Sequence, residues 1–205
     1  MIVISAASCE PNTREDILRQ AIALFASAGY SGVSMRDVAA LVGISAAALY
    51  HHFPDKQALY LAAMTRAFES ASASMRAVLE SDSPAIGRLQ DFIERFTGLV
   101  AGDEHLRLLV QRELLDGDDT RLALLAEQVF RELHDAVVAL ARELDTDLDP
   151  YMLANSIIGL VLFSFQSAPL RRHLAAGRAR HEQPRTIARH IVTLLTRACG
   201  SRSAD

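Results

Sequence analysis

Tryptophan is absent from the 205-residue chain, cysteine occurs twice, and aromatic residues make up only 6%. Alanine and leucine dominate in their place, a composition suited to closely packed helices and poorly suited to a sheet of branched and aromatic side chains. The expected fold class is all-α. The two cysteines, Cys9 and Cys199, lie near opposite ends, so they form neither a CxxC pair nor a disulfide framework and point to a reducing compartment. No basic segment precedes the short apolar stretch in residues 1–7, which argues against a secretory signal. The longest apolar run, residues 157–165, is broken by Gly159 and Ser164 and has roughly half the length of a bilayer span. A cytoplasmic location is expected. Catalytic and metal motifs are also lacking. His105, His134, His173, His181 and His190 are scattered, and there is neither a GxSxG elbow nor a Gly-rich phosphate loop. The expectation is a non-enzyme with no cofactor and no metal.

With half of its residues hydrophobic and 22% charged, the chain can bury one substantial core or two linked ones. The net charge of −4 is unevenly spread, at −1 over residues 1–60, −9 over 61–167 and +6 over 168–205. Nucleic-acid binding near the N-terminus must therefore rest on a few placed contacts and backbone amides instead of bulk charge. The basic C-terminal stretch reads as a solvated helix face and loop.

Residues 1–11 show no helical period and read as a disordered lead-in. From Asn12 or Thr13 onward, Ile17, Ala21, Leu24, Phe25 and Ala28 recur at helical spacing, and Gly29 stops the pattern. Two short helices follow, capped by Ser34 and Ser45, the second ending before Pro54. Asp55 caps a longer helix with Leu59, Met64 and Phe68 inward. Further helices begin at Ser83–Pro84, Asp103, Asp119, Asp149–Pro150 and Pro184. The Asp119 helix is the longest, with Leu122, Leu125, Val129, Leu133, Val137 and Leu140 in register. Nine helices are expected, with no strand. The division is a DNA-binding domain at 12–58, a helical domain at 59–198 and a tail at 199–205.

Residues 34–53, SMRDVAALVGISAAALYHHF, read as capped helix, tight turn at Gly43 and second capped helix. Ala39 is small where the helices cross, and Val38, Leu41, Ile44 and Leu49 supply the apolar faces that fix their angle. Such a pair can project the leading turn of its second helix into a major groove. The stretch TREDILRQAIALFASAGYSGVSMRDVAALVGISAAALYHHFPDKQAL resembles the N-terminal domain of the tetracycline-repressor (TetR) family of bacterial transcriptional regulators. The likeness rests most heavily on Gly43–Ile44–Ser45, Leu49–Tyr50, Phe53, Lys56 and Leu59.

The resemblance implies sequence-specific binding to a palindromic operator, repression, and release by a small-molecule effector. By this likeness Ser34 caps its helix and meets a phosphate, and Arg36 reaches a base or phosphate. Ser45, Ala46, Ala47 and Ala48 form the leading turn of the recognition helix. Tyr50 and His51 contact phosphates or base edges, and Lys56 meets the backbone. Where the family commonly carries larger polar residues, this chain has Ala46, Ala47 and Ala48, which leaves direct readout there to thymine methyls and the rest to DNA shape.

The resemblance also implies an effector chamber in the C-terminal helices. Its candidate lining is Met64, Phe68, Phe92, Phe96, Leu109 and Phe130, with Arg112 and Glu113 as polar anchors and a hydrophobic small molecule as occupant. The helix at 150–167 is apolar around nearly its whole circumference, which implies burial on both sides. Its outer side is covered either by the final helix of the same chain or, the preferred reading, by the same pair of helices from a second one, giving a homodimer sealed by a four-helix bundle with Ile157, Ile158, Val161, Leu162, Ile187, Ile191, Leu194 and Leu195 at the interface. The competing reading is an all-helical small-molecule carrier or interaction protein that has lost DNA binding.

Overall fold

The structure is a computed structural model that describes residues 13–144 and 146–200. The expected lead-in at 1–11, with Cys9, and residues 201–205 of the tail lie outside the described residues. Within them there is no strand. The helices are α1 (Thr13–Ala28), α2 (Met35–Val42), α3 (Ala46–His52), α4 (Lys56–Leu79), α5 (Ala85–Gly102), α6 (Glu104–Asp116), α7 (Asp119–Leu125), α8 (Arg131–Glu143), α9 (Pro150–Gln166), the one-turn α10 (Ala168–Arg171) and α11 (Pro184–Gly200). A π-helical turn, Ala126–Phe130, joins α7 and α8 into one rod. With the rod counted once, nine helices of seven or more residues stand as the residue pattern predicts, and α10 is additional.

Local signals place the breaks. Gly29 (φ 74°) ends α1. Gly43 (φ 79°) ends α2 with its N–H donating to Ala39 and Ala40 carbonyls, and the Ile44 N–H returns to Ala39 at 3.0 Å. Those reversed bonds satisfy carbonyls that a helix end otherwise leaves open. Ser45 then caps α3 by accepting from Ala48 N–H at 3.1 Å, and Asp55 caps α4 by accepting from Ala58 N–H at 2.7 Å. Across the turn, Met35, Val38 and Ala39 of α2 and Leu49 of α3 are buried. Leu41, expected on the inward face, is 52% exposed, because on so short a helix it falls opposite Ala39.

The rod departs from an ideal helix for a reason visible in its apolar stripe. Leu125, Val129, Leu133 and Val137 follow one another at four-residue steps, which drift round a 3.6-residue helix. The π turn adds one residue and lets the stripe follow the core; Leu125, Val137 and Leu140 are buried.

One hydrophobic core runs through both halves, including Ile17 and Phe25 of α1, Leu59 and Met64 of α4, Phe92 of α5 and Ile157 of α9. At the junction of the halves the packing turns polar. The Arg112 guanidinium of α6 donates from Nε to the Ala26 carbonyl at 2.7 Å and from an Nη to the Ser27 carbonyl, and so finishes the C-terminal end of α1. Beside it, buried Glu113 accepts from Tyr60 Oη at 2.7 Å and from Arg121 Nε at 2.8 Å. The Arg121 guanidinium lies 4.3 Å from the centre of the Tyr30 ring.

An added Cβ at Gly43 would meet nothing within 4 Å, so Gly43→Ala introduces only backbone strain in the left-handed region. It is expected to lower stability by about 1 kcal/mol. The check is a lower urea midpoint with an unchanged denaturant slope.

Candidate nucleic-acid interface

The turn at Gly43 and the Ser45 cap fix where α3 starts, and buried Leu49 fixes its rotation. With Leu49 inward, helical geometry turns Ala47 and His51 directly outward and sets Ala48 and Tyr50 at the flanks. Ser45, Ala47, Tyr50 and His51 are exposed accordingly, with Ala46 and Ala48 partly so. Tyr50 is half exposed at 50% and does not pack its ring beneath the turn. The His51 and His52 rings stand edge to face, 6.3 Å apart. Arg36 projects from α2, exposed and in no ion pair among the described residues.

Two of the expected contacts are otherwise engaged. The Ser34 hydroxyl donates to Asp37 Oδ2 at 2.7 Å and accepts from Asp37 N–H at 3.2 Å, while its own N–H donates to the same carboxylate at 2.8 Å. The capping box thus places a carboxylate at the α2 N-terminus, and the Ser34 hydrogen bonds hold Asp37 below the usual carboxylate range. Lys56 folds back instead of reaching outward. Its Nζ donates to the Val33 carbonyl at 2.8 Å and sits 4.3 Å from the centre of the Tyr30 ring. Burial, then the Arg121 guanidinium, lowers its pKa. Arg14 is a cation that the sequence reading did not single out. It is exposed on α1 and lies 5.1 Å from the centre of the Phe53 ring at the end of α3. No local pattern marks it, since α1 and α3 are joined only by folding.

Residues expected to line an effector chamber are packed against one another. Met64, Phe68, Phe92, Phe96 and Leu109 are buried, Phe68 meets half-buried Phe130 edge-on at 5.0 Å, and Phe92 stacks on Phe96 at 5.6 Å. Arg112 and Glu113 are not open to that space, being committed to the α1 carbonyls and to Tyr60 and Arg121. A cavity of about 790 Å³ opens elsewhere, between α5 and α11, lined among others by Gln90, Glu94, Gly98, Arg185 and Arg189.

Of the residues expected at a subunit interface, Ile157, Val161, Ile187, Ile191 and Leu195 are buried in the chain's own core, Ile158 and Leu162 are half-buried, and Leu194 is exposed. The correction is one of phase. α9 is apolar all round, and the side it leaves open carries Met152, Gly159 and Phe163, with Phe163 68% exposed.

Residues 17–63 match the family profile described as bacterial regulatory proteins, tetR family. A transcriptional activator of Mycolicibacterium smegmatis, FasR, is 27% identical over 76% of this chain and 70% of its own length. Among solved structures, AibR in complex with isovaleryl coenzyme A and operator DNA superposes with a TM-score of 0.70, at 23% identity, over 89% of this chain and 97% of that one. FadR of Bacillus subtilis in complex with stearoyl-CoA does so with a TM-score of 0.74, at 16% identity, over 92% and 99%.

The inward Lys56 leads to a salt experiment. A cation that neutralises a phosphate adds about one unit to the slope of log affinity against log salt. Lys56→Met is expected to weaken DNA binding through loss of the Val33 and Tyr30 contacts while leaving that slope unchanged. Fluorescence anisotropy from low to moderate salt reads both quantities, and a slope shallower by about one unit per bound subunit would restore Lys56 to the phosphate-contacting set.

Proposed function

Because the chain belongs to the tetR family of bacterial regulatory proteins, and is thus a DNA-binding, ligand-responsive transcriptional regulator, we propose that it works as a homodimeric repressor. It sits on an inverted-repeat operator and leaves when a small hydrophobic effector binds its C-terminal helices. The carrying observation is the exposed leading turn of α3, held by the Gly43 turn and the Ser45 cap with Arg36, Tyr50 and His51 beside it. Ser45, Ala46, Ala47 and Ala48 enter the major groove, and Arg36, Tyr50 and His51 supply the polar contacts. Such a protein acts in the cytoplasm, where the chromosome lies.

The proposed dimer contact is the open side of α9 with its neighbour on α11, namely Met152, Gly159, Phe163 and Leu194. The outer, half-buried edges of Ile158 and Leu162 extend it. Gly159 has nothing within 4 Å of an added Cβ, so a second helix can approach its backbone closely. Pairing these faces covers large apolar side chains that one chain leaves in water.

The effector enters among Met64, Phe68, Phe92, Phe96, Leu109 and Phe130, which must part to admit it. By preferring that opened arrangement the effector shifts the population away from the operator-competent one. The acyl-CoA ligands of AibR and FadR support an acyl thioester as effector class. One observation favours a second reading of the sign: FasR is an activator, and activation uses the same DNA interface with an operator placed differently.

Selection from a random duplex library is expected to recover an inverted repeat, and Tyr50→Ala to weaken its binding about tenfold, on the scale of a 1–3 kcal/mol contact. No enrichment at low salt would overturn the reading. Phe163→Glu is expected to leave the fold intact and to shift the particle seen by light scattering to the single-chain mass of 22.4 kDa. Isovaleryl-CoA and stearoyl-CoA, titrated against the operator complex, distinguish release from retention.

A further inference from the structure

We infer that Arg121, although it lies outside the helix-turn-helix segment, is a positioning residue for operator binding, locking the α1–α2 corner to the helical body through Glu113 and Tyr30. The inference rests on the two-subunit, two-half-site reading proposed above.

Arg121 and Glu113 are 7% and 3% exposed. Arg121 Nε donates to both carboxylate oxygens of Glu113, at 2.8 and 3.0 Å, and an Nη approaches Asp116 at 3.6 Å. Its guanidinium lies 4.3 Å from the Tyr30 ring centre. Tyr30 also meets Tyr60 edge-on at 5.1 Å, and Tyr60 donates to the same Glu113. One carboxylate therefore gathers α4, α6 and α7, and the guanidinium extends that grip to the loop joining α1 and α2.

An apolar contact at this place would let the two halves slide, because burial is non-directional. A guanidinium whose Nε–H is shared between the two oxygens of one carboxylate, while its carbon sits over an aromatic ring, meets both partners in a narrow range of orientations. The clamp holds the corner from which α2 and α3 extend, so a small rotation there becomes a displacement at α3. Replacing a buried ion pair by apolar residues of similar volume is commonly neutral or favourable for stability, so positioning and folding can be separated. A loosened corner leaves each α3 able to meet its own half-site. It lowers the effective concentration of the second α3 at the second half-site.

The experiment compares the full-length protein with the Glu113→Met, Arg121→Met double variant on two duplexes, the selected inverted repeat and one carrying a single half-site. The expected result is a folded protein whose thermal midpoint falls modestly because the buried Tyr60 hydroxyl loses its acceptor, with unchanged half-site affinity and salt slope and full-site affinity lower by about tenfold. A full-to-half-site ratio equal to that of the parent overturns the inference. A parallel fall on both duplexes overturns it too, since the cluster then only supports the DNA-binding fold. If the double variant does not fold, Arg121→Lys gives the same reading. It keeps the charge for Glu113 and loses the fixed Nε–H that both carboxylate oxygens share and the planar group over Tyr30, so the ratio is expected to drop about threefold, and an unchanged ratio counts against the inference. A parent protein that binds both duplexes equally would instead overturn the dimeric reading, and the clamp's role with it.

Discussion

The carboxylate of Glu113 is the constraint on which the two halves of this molecule depend. Buried beneath the corner between α6 and α7, it is answered by the Tyr60 hydroxyl and the Arg121 guanidinium, and without them it would be an uncompensated charge in a core. Its surroundings fix the protonation of its neighbours. Burial, reinforced by the hydrogen bond to Glu113, raises the Tyr60 pKa well above that of an ordinary phenol, and burial raises that of Tyr30 as well. Beside this cluster, Arg112 closes the carbonyl end of α1. The DNA-binding helices are thus attached to the body at a polar, directional joint, with an apolar core continuing beneath it.

On the other side of that joint, the proposed DNA-binding face is built from helix ends and a few free side chains. The local net charge is slightly negative, and two carboxylates, Asp37 and Asp55, serve as intramolecular partners at helix starts. Lys56, the one lysine of the chain, is drawn inward between the Val33 carbonyl and Tyr30. The face left outward combines methyl groups with the aromatic and imidazole rings of Tyr50 and His51, and one guanidinium on α2. Recognition on such a face depends on fit to a groove and on the exact setting of α3, which is why the joint behind it matters.

Much of this architecture was legible in the residues, wherever the physics is local. Gly43 needs φ > 0, Ser45 and Asp55 need only an N–H three residues on, and the apolar steps of α1, α4 and α5 announce their buried faces. What was not legible involves long-range pairing or phase. Tyr60 and Glu113 are separated by 53 positions, and Arg112 reaches a carbonyl 86 positions earlier; nothing in either neighbourhood marks the partner. Glu113 was expected beside Arg112 as a polar anchor of an effector chamber, whereas its partner, Arg121, lies across the Gly117 turn. For α9, a helix apolar on all sides carries no phase, so the inward set could not be told from the outward one until Ile157 and Val161 were seen fully buried in the chain's own core. The π turn did leave a trace in the successive four-residue steps of the rod, but an unbroken helix explains such steps nearly as well.

The three alanines that open α3 have a consequence for how this protein changes over generations. Alanine is the best helix former, and replacing it by most other residues in a helix costs less than about 1 kcal/mol. Ala47 points into open solvent and its neighbours are only partly covered, so a longer side chain there displaces nothing in the core. The proposed reading surface is in effect a blank template on a rigid mount. A single codon change can add a hydrogen-bonding group and redirect the protein to a new set of promoters while the fold, the joint and the effector response carry on unaltered.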